Sequence, residues 1–331
     1  MQAMQLKKPG SIESSPLECV ELPVPEPGPG ELLLRISACG VCHTDLHIVL
    51  GEIHPPQLPV TPGHQIVARV EAIGSGVEGW KIQDRAGVPW LYSADTSCEF
   101  CQRGEENLCP NAKFTGFDVD GGFAQFMLSK ADYTLHLPEA KSDLELAPLL
   151  CAGIIGYRSL HKADLQPGER LGLIGFGASA HLAIQAARYW DCEVFVFTRS
   201  ESHRRLALDL GAVWAGGAEE DAPALLDRAV IFAPAGRLVP VILKKLRPGG
   251  TLAINAIHMS PLPAMSYECI YGERTLRSVA NATFRDGVEF LKLAAEIPIK
   301  AETTTYPLVE ANRALADIAA STVDGAGVLL P

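Results

Sequence analysis

The sequence predicts an α/β protein in two parts, a β-rich first part and a doubly wound parallel sheet behind it. Three observations carry that reading. Residues 1–151 are dominated by short apolar runs broken by Pro and Gly. From residue 152 onward, apolar runs alternate with stretches of helical spacing. A glycine-rich turn, Gly175-Phe176-Gly177-Ala178-Ser179-Ala180, separates one such run from the helical pattern that follows it.

In the first part, residues 31–36 and 66–70 have the composition of strands, and Pro27-Gly28-Pro29-Gly30 is a turn cluster between runs. Many short strands with loops suggest a barrel-like domain. In the second part, residues 170–174, 193–197, 229–233 and 251–256 are four strand candidates. Helical spacing over 178–189 and 204–210 separates the first three, and such alternation gives a parallel sheet covered on both faces. Helical spacing returns over 287–297, and Val328-Leu329-Leu330 is suited to a last strand that rejoins the first part. The expected organisation is therefore 1–151, 152–281 and a returning segment 282–331. No internal repeat or low-complexity tract interrupts it.

The chain has 331 residues, more than one small core usually organises. A net charge of -11 disfavours binding to a phosphate backbone, so nucleic acid is not an expected partner. No apolar run reaches membrane-spanning length. Residues 1–13 carry Lys7 and Lys8 with no apolar segment behind them, unlike a secretory leader. A cytoplasmic protein is expected, in which the nine cysteines stay reduced.

The chemistry concentrates in Gly40-Val41-Cys42-His43-Thr44-Asp45-Leu46-His47, Gly63-His64 and Cys151. Cys42, His64 and Cys151 offer sulfur, nitrogen and sulfur to a zinc ion and leave one position open for a substrate oxygen. Cys39 stands close enough to Cys42 to compete for the same role. Thr44 is placed to take a hydroxyl proton, and His47 to pass it toward solvent with a cofactor ribose hydroxyl as the link. Asp45 is a candidate acceptor for the free ring N–H of His64. A second group, Cys98, Cys101 and Cys109, follows C-x2-C-x7-C, a spacing suited to a structural metal. Cys19, Cys39, Cys192 and Cys269 read as small packing residues.

The turn at 175–180 fits G-x-G-x-x-A. Gly175 and Gly177 let the backbone approach a pyrophosphate, and Ala178, Ser179 and Ala180 open a helix whose N–H groups face it. The next strand ends in Thr198-Arg199-Ser200, with Arg204 close behind, where an acidic residue would select NAD(H). Arg199 can pair instead with a 2′-phosphate, so NADP(H) is favoured and NAD(H) is the alternative.

Taken together, these segments, with Leu150-Cys151-Ala152-Gly153 and the lobe at 95–109, resemble the zinc-dependent alcohol dehydrogenases of the medium-chain dehydrogenase/reductase family. The match runs through nearly the whole chain. It implies a GroES-like catalytic domain, a Rossmann cofactor domain and an active site in the cleft between them. It favours Cys42 over Cys39 as ligand, sets His43 near the cofactor pyrophosphate and makes Trp90 part of the alcohol pocket. The family has a fourth cysteine in the lobe where this chain has Asp95, whose carboxylate can also bind zinc, so two zinc ions per chain are expected. A homodimer or homotetramer is implied through residues 267–281. The family also has Glu after the zinc-binding His, where this chain has Gln65, and a basic residue near the last strand, where it has Gly325-Ala326-Gly327.

The leading expectation is reversible hydride transfer between a small primary alcohol, aliphatic or benzylic, and NAD(P). The alternatives are a polyol or larger-aldehyde reductase on the same fold, and a non-catalytic zinc-stabilised binding protein.

Overall fold

In the computed structural model, residues 1–331 are described except 321 and 324. The chain divides into two compact units. The first comprises Met1–Cys151, Asn281–Ala295 and Lys300–Pro331, and the second Ala152–Ala280 and Glu296–Ile299.

The first unit is built on a seven-stranded sheet. Its order runs Thr303–Pro307, Ala326–Leu330, Glu31–Val41, Gln65–Ile73, Arg85–Val88 and Leu135–His136, with Phe126–Lys130 also pairing with Glu31–Val41. All neighbours are antiparallel except Thr303–Pro307 beside Ala326–Leu330. The two central strands are buried along most of their length, which is why they read as apolar runs rather than as alternating ones. Glu31–Val41 is longer than its apolar run suggests, because it continues through Gly40 to the first residues of the cysteine motif. Register shifts at Leu33/Leu34 and Ile36/Ala38 bend it on the way. Leu34, Ile66, Val70, Phe123 and Leu329 meet in the core behind it.

The second unit holds a six-stranded, all-parallel sheet. Its order is Trp214–Gly216, Glu193–Phe197, Arg170–Ile174, Leu226–Ile231, Leu246–Ile254 and Thr275–Ser278. Numbered along the chain, this is 3-2-1-4-5-6, the order of doubly wound nucleotide folds, whose reversal lies beside the first strand. Two of its strands escape the sequence reading. Trp214–Gly216 is only three residues long, and Thr275–Ser278 carries Thr, Arg and Ser in place of an apolar run. The helix after the second strand starts at Glu201, earlier than its apolar spacing indicates, because Ser200 caps it.

Of the cysteines read as packing residues, Cys39, Cys192 and Cys269 are buried, but Cys19 is exposed. It lies on Leu17–Glu21, a strand that pairs with Gln2–Leu6 and whose residues Glu18, Cys19 and Glu21 are exposed. Among the described residues, no helix is long and apolar enough to cross a membrane.

Candidate active site

The end of Glu31–Val41 delivers Cys42 to the N-cap of helix His43–Leu50. The Cys42 Sγ accepts the Thr44 N–H at 3.3 Å, while the Asp45 carboxylate accepts the Cys42 N–H at 2.9 Å. This reciprocal cap fixes the thiol where the strand stops. Twenty-odd residues on, Gly63 adopts φ +98°, and a Cβ there would lie 2.4 Å from Phe123 and 2.9 Å from the Cys39 sulfur. Only glycine fits, and the turn it allows presents His64.

Cys42, His64 and Cys151 come together, with one ligand atom from each within 4.8 Å of the others. The Cys42 Sγ is 3.2 Å from His64 Nε2. The other ring nitrogen, Nδ1, is 3.1 Å from Asp45 Oδ1, which also accepts the Gly63 N–H at 3.1 Å. Asp45 is fully buried and so ties the backbone of 42, the backbone of 63 and the ring of 64 to one carboxylate. Cys39, by contrast, turns its thiol into the core against the faces of Gly63 and Gly122 and stays out of the cluster.

The electrostatics of the three groups are linked. Its hydrogen bond with Cys151 and the charge of His64 bring the Cys42 thiol well below the usual range, whereas Cys151, the donor in that bond and partly desolvated, is pushed well up. Burial works against a charged His64, yet the Asp45 and Cys42 charges raise it well above an ordinary imidazole. Burial raises Asp45 itself. A soft, anionic donor set with an oriented imidazole fits a zinc ion, and its Nε2 is the nitrogen left for the metal.

Around this cluster, Thr44 and His47 are three residues apart on the same helix, a spacing that puts them on one face. His47 Nδ1 is in contact with the carboxylate of Glu52. The helix ends at Gly51, φ +75°, and the Glu52 N–H bonds back to the His47 carbonyl at 2.9 Å, which returns the Glu52 side chain to the ring. Trp90 meets His64 edge-on, with ring centroids 4.9 Å apart and planes at 76°. It also stacks on Phe114 at 5.1 Å, and its indole N–H donates to Asn281 at 3.1 Å. His43 is exposed at the start of the helix. Glu52, Asn281 and Phe114 are not among the site residues expected from sequence. For Glu52 a signal existed, since Gly51 is a helix-stop residue and the position after it folds back. Nothing local marks Asn281.

The lobe at 95–109 gathers a second set. One ligand atom each from Asp95, Cys98, Cys101 and Cys109 lies within 4.8 Å of the others. Asp95 Oδ1 accepts the Ser97 and Cys98 N–H groups at 2.9 Å, and Oδ2 accepts the Asn111 amide at 3.0 Å. These bonds, that from Cys98 first, hold its carboxyl far below the usual carboxylate range. Gln65 is buried beside Gly40, where a Cβ on the glycine would come within 2.9 Å of it.

In the second unit, Gly175 adopts φ +86° where a Cβ would press on the Ala233 backbone at 2.9 Å. Gly177, the N-cap of helix Ala178–Tyr189, is different. Its φ of -95° suits any residue and a Cβ there would meet nothing within 4 Å. Packing does not require glycine at 177, and the open room at a helix N-terminus, over the N–H groups of Ala178, Ser179 and Ala180, fits a cofactor pyrophosphate. Gly156 lets helix Ala152–Lys162 approach Ser179, where a Cβ would stand 2.9 Å from the carbonyl oxygen. At the end of Glu193–Phe197, Thr198 is buried and Arg199 exposed. The Arg204 guanidinium bonds to the Thr198 carbonyl and to Glu220, both at 3.1 Å, and Ser200 caps the next helix.

Residues 28–139 match the alcohol dehydrogenase GroES-like domain. Over 336 aligned positions the chain is 46% identical to a probable alcohol dehydrogenase, AdhA, of Mycobacterium tuberculosis, spanning 100% of this chain and 97% of that one. The chain belongs to the zinc-type medium-chain alcohol dehydrogenases. It is 34% identical to an alcohol dehydrogenase of Geobacillus stearothermophilus over 95% of both chains. The solved cinnamyl alcohol dehydrogenase of Sorghum bicolor superposes with a TM-score of 0.91 at 27% identity, covering 99% of this chain and 96% of that one. The protein is thus an alcohol dehydrogenase, an oxidoreductase of the alcohol–aldehyde pair. Its GroES-like and Rossmann-type parts correspond to the β-rich and doubly wound halves expected from sequence.

Proposed function

We propose that the protein is a zinc-dependent, NADP(H)-preferring dehydrogenase of small primary alcohols, aliphatic or benzylic. The observation that carries the proposal is the convergence of Cys42, His64 and Cys151 around one point, with Asp45 orienting the imidazole. A zinc ion held there supplies the Lewis acidity that acidifies an alcohol hydroxyl, and a nicotinamide supplies the hydride acceptor.

The chain's own residues do the rest. Thr44 accepts the hydroxyl proton at Oγ1 and releases its own proton toward His47. His47 carries it onward at Nε2 while Glu52 holds Nδ1, so the ring presents one fixed tautomer. Trp90 narrows the pocket on the His64 side and Thr44 on the other, which favours unbranched groups. His43 lies at the cofactor pyrophosphate. The lobe holds a second, structural zinc through Asp95, Cys98, Cys101 and Cys109.

Gly175, Gly177 and residues 178–180 cradle the pyrophosphate, and Thr198 and Ser200 border the adenosine ribose. Arg204 is shared with Glu220, so Arg199 makes the larger contribution to a 2′-phosphate. The exposed Tyr267 and Tyr271, close to the edge strand Thr275–Ser278, support a homo-oligomer.

A panel of alcohols and aldehydes assayed with both nicotinamides tests this reading. Primary alcohols with NADP⁺ are expected to give the highest kcat/KM. Arg199→Ala should lower the NADP(H)/NAD(H) ratio by roughly ten- to a hundredfold, the value of a charged hydrogen bond. A wild-type preference for NAD(H) overturns the cofactor assignment. A larger-aldehyde reductase is the second reading. The aromatic wall of Trp90 and Phe114 favours it, and a probable cinnamyl alcohol dehydrogenase of Oryza sativa is 31% identical over 89% of the chain.

A further inference from the structure

Trp90 is the largest side chain against the ligand imidazole, and its ring has one polar atom. That atom, Nε1, donates to Asn281 Oδ1 at 3.1 Å. An indole N–H is a donor only, so the amide of Asn281 must present its oxygen, and the pairing has one orientation. Both residues belong to the first unit, although they are far apart in sequence.

The backbone at Asn281 and just after it is constrained. Its own φ is +53°, a left-handed conformation that Asn and Asp tolerate and most residues do not. Two residues later Thr283 and Asp286 cap helix Phe284–Glu296 reciprocally, with Thr283 N–H to Asp286 at 2.8 Å and Asp286 N–H to Thr283 Oγ1 at 3.1 Å. The Phe284 N–H bonds to Glu106 at 2.8 Å. The amide oxygen is therefore a fixed anchor, and the Trp90 ring meets Asn281 at its nitrogen, Phe114 on its face, and His64 and Phe117 at an angle, with Asn281 its one hydrogen-bond partner among the described residues.

We propose that Asn281 is a specificity-positioning residue. It acts through Trp90 and locks the indole in the orientation that excludes branching at the carbinol carbon. The inference rests on the assignment of Cys42, His64 and Cys151 as the reaction centre. Losing the anchor frees the ring to pivot away from His64 and opens room for a second substituent on that carbon.

The experiment uses the zinc-loaded full-length enzyme and three residues at position 281. Asn281→Gly removes the acceptor and is relaxed at positive φ, so the fold is preserved. Asn281→Asp keeps both the acceptor and the tolerated backbone. The first readout is the kcat/KM ratio of benzyl alcohol to 1-phenylethanol. It should fall about three- to tenfold in Asn281→Gly, the worth of one hydrogen bond, and return toward wild type in Asn281→Asp. The second is the Trp90 indole N–H resonance in tryptophan-labelled protein, assigned with Trp90→Phe. It should shift upfield in the glycine variant and recover with aspartate, whether or not the enzyme turns over. An unchanged selectivity ratio in Asn281→Gly, or an aspartate variant that behaves like the glycine one, overturns the proposal. If the reaction centre were elsewhere, Cys42→Ser would keep full activity while the indole resonance still reported the contact.

Discussion

Cys42, His64 and Cys151 come from a strand end, a glycine turn and the segment before a helix, whereas Asp95, Cys98, Cys101 and Cys109 come from one lobe of the chain. His64 is buried, and its ring is set by a carboxylate that also pins two backbone amides. Each set has one buried donor, His64 in the first and Cys109 in the second, and Asp95 bonds to residues close in sequence, Ser97, Cys98 and Asn111. A three-donor site assembled from distant parts of the chain exists only when the whole unit is folded, and it leaves a coordination position for chemistry. A four-donor site assembled from neighbours closes itself and stabilises its own loop. The two should therefore fail in different ways.

The largest contrast comes from the ligands themselves. Cys42→Ser should lower kcat/KM for alcohol oxidation by on the order of 10³-fold, equivalent to about 4 kcal/mol of lost electrostatic help, with little change in thermal unfolding. Steady-state kinetics beside calorimetry checks both halves, and full activity would remove Cys42 from the centre. Asp45→Asn keeps the size of the side chain but not its charge. Zinc affinity at the catalytic site should drop roughly 10–100-fold, read by competition with a chromophoric chelator. Equal affinities in the two proteins would show that Asp45 only caps its helix.

Asp95→Ala should do the reverse. Zinc content is expected to fall from two to one per chain by elemental analysis. Tm should fall by roughly 4–8 °C for ~2 kcal/mol, while kcat stays within about threefold. A large loss of kcat at constant Tm would break the distinction between the two sites. The smallest effect concerns the approach to Cys151. Ser142 and Glu145 form a reciprocal cap, with Glu145 N–H to the Ser142 hydroxyl at 3.3 Å and Ser142 N–H to the Glu145 carboxylate at 2.9 Å. Ser142→Ala should cost about 1 kcal/mol. The Ser142 hydroxyl holds the Glu145 carboxyl below its ordinary value of 4.5. The stabilisation is then complete above that pH and is lost as pH falls through the lowered folded value. Denaturant titrations of the two proteins should converge in acid, and a gap that widened there would reject the cap.

What could be read from the residues alone followed from how local each feature is. The glycine turn of the second unit, the C-x2-C-x7-C lobe and the core strands announce themselves within a few residues of chain. Cys42 could not be separated from Cys39 by spacing. What separates them is the end of strand Glu31–Val41, which turns one thiol inward and releases the other into the helix cap. Asn281 was invisible because its role depends on a hydrogen bond to a residue almost two hundred positions away. Thr275–Ser278 was missed because an edge strand needs only one apolar side and little hydrophobic run.

The crowding at Gly63 reaches beyond the turn it permits. Phe123 and the sulfur of Cys39 occupy the volume a side chain would need there, so positions 39, 63 and 123 form one steric unit although no two are neighbours in sequence. An engineer who wishes to reshape the flank of His64 has to change those three as a set. A natural lineage drifting at any one of them would find the other two already holding it back.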